Sequence, residues 1–250
     1  MFGRVRTTCL ICFIISLGYF FCAKEGFPPG GPVDKTPPFV VATQPLPNSV
    51  QVDSNTQIVI TFSEPMIKSS VEKAIYLCPL EFQKGIEFSW KKNTVIVSLA
   101  HPLKKDFTYI ITVSTAATDL HSNQLSNPYS FAFSTGEQIA TGEIKGKVLN
   151  LLSKQRGTIL VWAYRLGVNY DNSQACIFST KLPDYITEVS PEGNYRLSYL
   201  TSGKYQLFVF EDKNQNQHYD CGRELIGLPS FFPRIGEDKQ QIEDCLLYTS

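Results

Sequence analysis

At 250 residues the chain has room for one large domain or two of ordinary size, because single cores saturate near ~100 to 200 residues. Its 23 Lys and Arg balance its 23 Asp and Glu, so no long-range field draws in a polyanion, and no nucleic-acid partner is expected. The 17 Phe and 12 Tyr, punctuated by 16 Gly and 15 Pro and with only 2 Met, suit short strands joined by turns better than packed helices.

Arg4 and Arg6 precede an apolar run from Cys9 to Phe21, broken only by Ser16 and Gly18, which reads residues 1–22 as a signal peptide for export. The run falls short of the ~20 residues that cross a bilayer as a helix. Cys22 closes it, where a bacterial lipoprotein signal places its acylated cysteine; Phe21 is bulkier than the small residue usual before that cysteine, and the competing reading makes Cys22 one more apolar residue, like Cys9 and Cys12. Lipidation at Cys22 would give the protein a membrane partner, since acyl chains contribute ~0.8 kcal/mol per buried methylene. Residues 23–36 form a Pro/Gly-rich tether: the stretch AKEGFPPGGPVDKTPP holds five prolines and three glycines in 16 residues, and proline resists helix.

Residues 37–136 show short apolar runs between turn residues. Gln57–Phe62 places apolar side chains at even positions, so one face turns inward. Further strands are expected at 75–77, 86–90, 94–99, 108–114 and 129–134, with no amphipathic helix, which describes a β-sandwich. The motifs Thr36-Pro37-Pro38, Phe62-Ser63-Glu64-Pro65-Met66, Leu103 with Tyr109, Asp119 to Leu125, and Phe133-Ser134-Thr135-Gly136 occur in the order of the bacterial Ig-like domain family first associated with S-layer proteins, which this stretch resembles. Ser122 stands where that family's turn usually has Gly. The resemblance implies a non-catalytic spacer or adhesive module. Glu64, at a strand exit, is placed either to bind a cation or sugar or to satisfy nearby backbone donors.

Residues 139–232 begin again with the alternating Gly142–Leu149, followed by expected strands at 158–164, around 176–179, and at 185–189, 195–199 and 205–211. Pro191-Glu192-Gly193-Asn194 and Thr201-Ser202-Gly203-Lys204 are turn clusters. Gly193-Asn194-Tyr195-Arg196-Leu197 and Leu200-Thr201-Ser202-Gly203-Lys204-Tyr205 resemble the carboxypeptidase-regulatory-like family of transthyretin-like (prealbumin-like) sandwiches, and the whole layout resembles predicted surface lipoproteins of the Bacteroidetes type. The fold class expected is thus all-β, two consecutive sandwiches each with its own core. Residues 233–250 read as a tail or a last strand around Gln241-Ile242-Glu243.

The most chemically suggestive segment runs from Glu211 to Asp220. Asp212, Asn214 and Asn216 alternate as oxygen ligands of a Ca²⁺ loop do, with the His218 carbonyl and Asp220 beyond. Gln217 replaces the glycine such a loop wants, and Glu224 comes one step late for a bidentate ligand. The alternatives are weak calcium binding, in the ~10⁻⁴ to 10⁻³ M range, and a polar turn closed by Asx bonds without metal. No other cofactor is expected.

Cys78, Cys176, Cys221 and Cys245 remain after the signal region; four cysteines allow three pairings, and no spacing favours one over free thiols. His101, His121 and His218 stand in turn-like settings beside no nucleophile motif, and Gly142-x3-Gly146-Lys147 is one residue short of a phosphate loop. The expected protein is therefore a non-enzymatic lipoprotein of the bacterial cell envelope, anchored in the outer membrane or displayed at the surface. It would serve as a spacer or adhesion module with a protein or glycan partner. The alternative is a carbohydrate-binding accessory protein presenting Trp90, Trp162, Tyr164 or Tyr170, although Trp90 and Trp162 fall within strand patterns that favour the core.

Overall fold

Period-two patterning resolves into strands throughout the computed structural model, which describes residues 31–149, 157–167 and 182–236 except 215, 217, 221, 222, 225 and 230, together with the backbone of 241–249. The expected signal segment, Cys22, Tyr170 and the strand expected near Cys176 lie outside the described residues. The described residues 31–34 fall in a unit apart from Lys35–Ser250, and the fold below is that of the latter.

The first sheet is antiparallel, in the order β1 (Val40–Gln44), β2 (Ile58–Phe62), β5 (Thr94–Ser98), β4 (Glu87–Lys91). Ile58, Ile60 and Phe62 point inward with Val95 and Val97, as the alternation dictates. The second sheet is β3 (Ile75–Cys78), β6 (Thr108–Val113), β7 (Tyr129–Ser134). After β1 the chain crosses over to the edge of this second sheet, where Asn48 and Val52 donate to Ala132 and Ser134 and Ser134 donates to Ser49. A seven-residue helix, α1 (Lys68–Ala74), follows Pro65 and buries Val71 and Ala74 against one end of the core. It corrects the expectation of no helix: barely two turns long and lacking a side-chain N-cap bond, it is too short to show a 3.6-residue period, and it stands by packing.

The middle sheet is buried on both faces, and its residue parity sorts into two cores. Ile75, Leu77, Tyr109, Ile111, Val113, Phe131 and Phe133 face the first sheet, while the alternate residues Tyr76, Cys78, Ile110 and Ala132 join Leu80 in a cluster dominated by residues 144–235. There are thus two cores, as expected, but the second is not built from the second half alone. The hydrogen-bonded ladders break cleanly between Ser134 and Gly142; the apolar packing does not.

The second half forms an eight-stranded sheet in the order β10 (Tyr185–Glu188), β9 (Thr158–Leu166), β12 (Gly203–Asp212), β13 (Ile226–Pro229), β15 (Gln241–Thr249), β8 (Gly142–Leu149), β11 (Asn194–Leu200), with β14 (Arg234–Ile235) on the start of β12. The ambiguous tail is a strand: β15 lies inside the sheet, antiparallel to β13 and parallel to β8. The first and last strands of this order, β10 and β11, are joined by residues 189–193 alone, so the sheet must roll until these ends leave one turn side by side, unpaired, and its two halves face each other across the core. The filling is aromatic: Trp162, Tyr164, Tyr205, Phe208 and Phe210 are sealed, and Trp162 meets Phe210 edge-on at 4.6 Å between ring centroids.

Candidate functional site

Three places gather polar chemistry. The first is the turn after β6, where Asp119 is fully buried and works as its clasp. One carboxylate oxygen accepts the amides of His121 and Asn123 at 2.8 Å each, and the other accepts Asn123 Nδ2 at 2.9 Å. Burial works to raise its pKa, and the bonds from Asn123 and His121 outweigh that and hold the carboxyl below the ordinary range. Ser122 adopts φ of 70°, the left-handed conformation for which the family's glycine is suited, so the backbone keeps the turn despite the serine. Glu64 and His121 each place a ligand-capable atom within 4.8 Å of Asp119 and of each other, and Glu64 reaches the other two from across the chain, a convergence that no local spacing announces.

The second is the loop after β12. Asn216 N–H donates to both Asp212 Oδ1 and Asn214 Oδ1 at 3.1 Å, His218 N–H to Asn216 Oδ1 at 2.8 Å, and the side-chain amides of Asn214 and Asn216 to Asp220 Oδ2 at 2.7 and 3.2 Å. The structure therefore brings Asp212, Asn214, Asn216, His218 and Asp220 into one hydrogen-bonded loop. Glu224, read as a late ion ligand, accepts the amides of Lys213 and Asp220, both at 2.9 Å, and so staples the loop's two ends. Gly157 supports it from the residue before β9: its N–H donates to Glu211, and a Cβ there would sit 2.2 Å from the Asp212 carbonyl oxygen. Glu224→Ala is expected to cost about 2 kcal/mol by leaving those two amides without acceptors. Thermal melts check this: an equal loss in millimolar calcium and in chelator marks a self-closed turn, and a calcium-dependent gain confined to the unsubstituted protein marks an ion.

The third is a cavity of about 850 Å³ between β10 and β11, floored by Ile110, Thr112 and Ser130 of the middle sheet and by Pro128 just before β7. Lys145, Lys147 and Arg196 stand on the β8 and β11 side. Lys145 reaches Glu143 at 2.7 Å and Arg196 approaches it at 4.0 Å. Across from them Glu188 binds Thr115, accepting its amide at 3.0 Å and its hydroxyl. Burial lifts the Glu188 pKa, against the pull of those two bonds. This site was missed from sequence, because it exists only where the rolled sheet fails to close.

The other expected positions are structural. Trp162 and Tyr164 are 1% and 0% exposed, which removes them as glycan platforms; Trp90 is half-buried, its Nε1 donating to Glu72 at 2.9 Å. Cys78 is a free thiol pushed up to about 12 by burial, hence unreactive. No helix among the described residues is long and apolar enough to cross a membrane.

Residues 34–135 match the family model of the bacterial Ig-like domain. No curated protein matches the chain. Among solved structures, the N-terminal part of the bacterial S-layer protein SbsC is 16% identical with a TM-score of 0.29, the match covering 82% of this chain and 42% of that one. An L,D-transpeptidase from Mycobacterium smegmatis is 11% identical with a TM-score of 0.32, covering 86% and 90%. The major pilin subunit of Bacillus cereus is 9% identical with a TM-score of 0.25, covering 85% and 70%.

Proposed function

We propose that the chain is an exported, non-enzymatic protein of the bacterial cell envelope, lipidated at Cys22, whose β-units act as a structural spacer and interaction module. The match of residues 34–135 to the bacterial Ig-like domain is the observation that carries this reading. It is supported by the way the singled-out carboxylates are used: Asp119 and Glu224 hold backbone amides in turns rather than facing one another across a cleft. The tether of residues 23–36 would hold the folded part off the membrane, and the middle sheet shared between two cores fixes the two halves at one angle, as a spacer needs.

Metabolic labelling with a palmitate analogue tests the anchor. Label is expected on the wild type and absent from Cys22→Ala, which should also leave the membrane fraction; an unlabelled wild type removes the lipoprotein reading.

A further inference from the structure

We infer that the cavity between β10 and β11 is a vacant strand position that takes an extended, acidic segment of another polypeptide by main-chain pairing. The inference goes beyond the proposed function and does not depend on lipidation at Cys22.

Successive side chains of a strand point to opposite faces, so a cavity that touches every residue of a run must lie along the strand's edge. This one touches Tyr185–Glu188 and Asn194–Tyr199 without a gap. Those runs are the two ends of the eight-stranded sheet, β10 bonded only to β9 and β11 only to β8. They run antiparallel out of one turn, held there by Ser190 N–H to Asn194 O and Gly193 N–H to Ser190 O, and no ladder joins them among the described residues. Two edges that could have paired have splayed instead.

Each edge is tied outward to a different anchor. Glu188 is fastened to Thr115 beyond β6, and Tyr199, at φ of 61° beside the irregularity between Leu197 and Leu200, donates to Asn48 Oδ1 at 3.2 Å. The phase of the ladders sets which groups face the gap. Val189 N–H donates to Ile159 O, so Ile186 and Glu188 turn their main chain away from β9; Val148 N–H donates to Gly193 O, so Asn194 and Arg196 turn theirs away from β8. Of these, the Ile186 amide is already directed at the Cys78 sulfur, a weak acceptor, and Asn194 is spent in the turn, its carbonyl accepting Ser190 N–H and its amide donating to Ser190 Oγ, so Glu188, Arg196 and the Ile186 carbonyl remain to face a guest.

Unpaired edges are templates for an added strand, and such addition draws its affinity from main-chain bonds and its selectivity from alternate side chains. A gap one strand wide spans about 9.6 Å, two inter-strand spacings, and the usual strand is about five or six residues. Inward-facing side chains of the guest would meet Ile110 and Pro128 and should be apolar. Outward-facing ones would meet Lys147 and Arg196, both exposed, while the cavity's one carboxylate, Glu188, is engaged by Thr115; the complementary guest is acidic.

The test uses the full chain in detergent and three fluorescent hexapeptides: acetyl-(Glu-Val)₃-amide, its form N-methylated at alternate amides, and acetyl-(Lys-Val)₃-amide. The acidic peptide is expected to bind with saturation, the N-methylated and lysine forms to bind at least about tenfold more weakly. Lys147→Glu with Arg196→Glu, both at exposed positions that leave the core intact, should reverse the preference between acidic and basic peptides. No binding of the acidic peptide at millimolar concentration, or equal binding of its N-methylated form, overturns the inference: the first shows a closed seam, the second mere ionic adhesion. Neither result bears on labelling at Cys22.

Discussion

Ending the chain after Gly236, and so deleting β15, is expected to unfold the whole second half rather than shorten it by one strand. β15 pairs with β13 on one side and β8 on the other, so without it the sheet falls into β10-β9-β12-β13 and a detached pair, β8-β11. An isolated two-stranded ribbon is marginal in water at best. Each ladder bond contributes about 1 kcal/mol net, and the loss along both flanks approaches the 5–15 kcal/mol, on the order of which a whole domain is stable. Far-ultraviolet circular dichroism and limited proteolysis check the outcome: residues 142–236 should become protease-sensitive, and a cooperative melt within a few degrees of the intact protein would refute the central placement of β15.

The second large effect is expected from two neighbouring substitutions that act on different cores. Ile110 and Ile111 are adjacent in β6, yet Ile110 packs into the second cluster and Ile111 into the first. A buried carboxylate without a partner costs several kcal/mol, here about 3–5 with the lost apolar contact, and in each case the cost falls on one core. Ile110→Asp should separate the melting of the two halves, leaving the first sandwich folded; Ile111→Asp should unfold the first sandwich and deprive the second core of its floor. Calorimetry reads the number of transitions. Indistinguishable thermograms for the two variants would mean that the parity assignment is wrong.

Much of this was legible in the sequence. Gln57–Phe62 and Tyr129–Ser134 alternate because each has distinct surroundings on its two faces, and the turn residues between runs set the strand limits to within a residue or two. What the pattern could not convey was destination. Ile75-Tyr76-Leu77-Cys78 and Ile110-Ile111-Thr112-Val113 read as continuous runs, since both faces are covered, and a continuous run says only that two layers exist, not where the second comes from. The helix over 68–74 was too brief to show its period. The rolled seam was unreadable for another reason: β10 and β11 look like an ordinary hairpin in sequence, and only the full strand order shows that they are the two ends of one sheet.

The loop of residues 212–224 divides in the same way. The spacing of Asp212, Asn214 and Asn216 left a calcium loop and an Asx-closed turn as alternatives, and the fold contains the Asx bonds. Glu224 falls one step late when counted against an ion, and its two oxygens accept amides at the loop's opposite ends, a role that its spacing alone does not show. Local chemistry follows from spacing, and convergence across the chain, as with Glu64 and Asp119, requires the fold.

The parallel alignment of β15 with β8 has a mechanical consequence. Tension applied through the chain that precedes β8 enters it at Gly142, and a load on the end of β15 leaves it at Thr249, so the two strands are dragged past each other lengthwise. Their bonds must then rupture together, whereas a hairpin pulled at its open end unzips one rung at a time. Pulling at Gly142 and Thr249 thus loads the sheet in its most force-resistant direction.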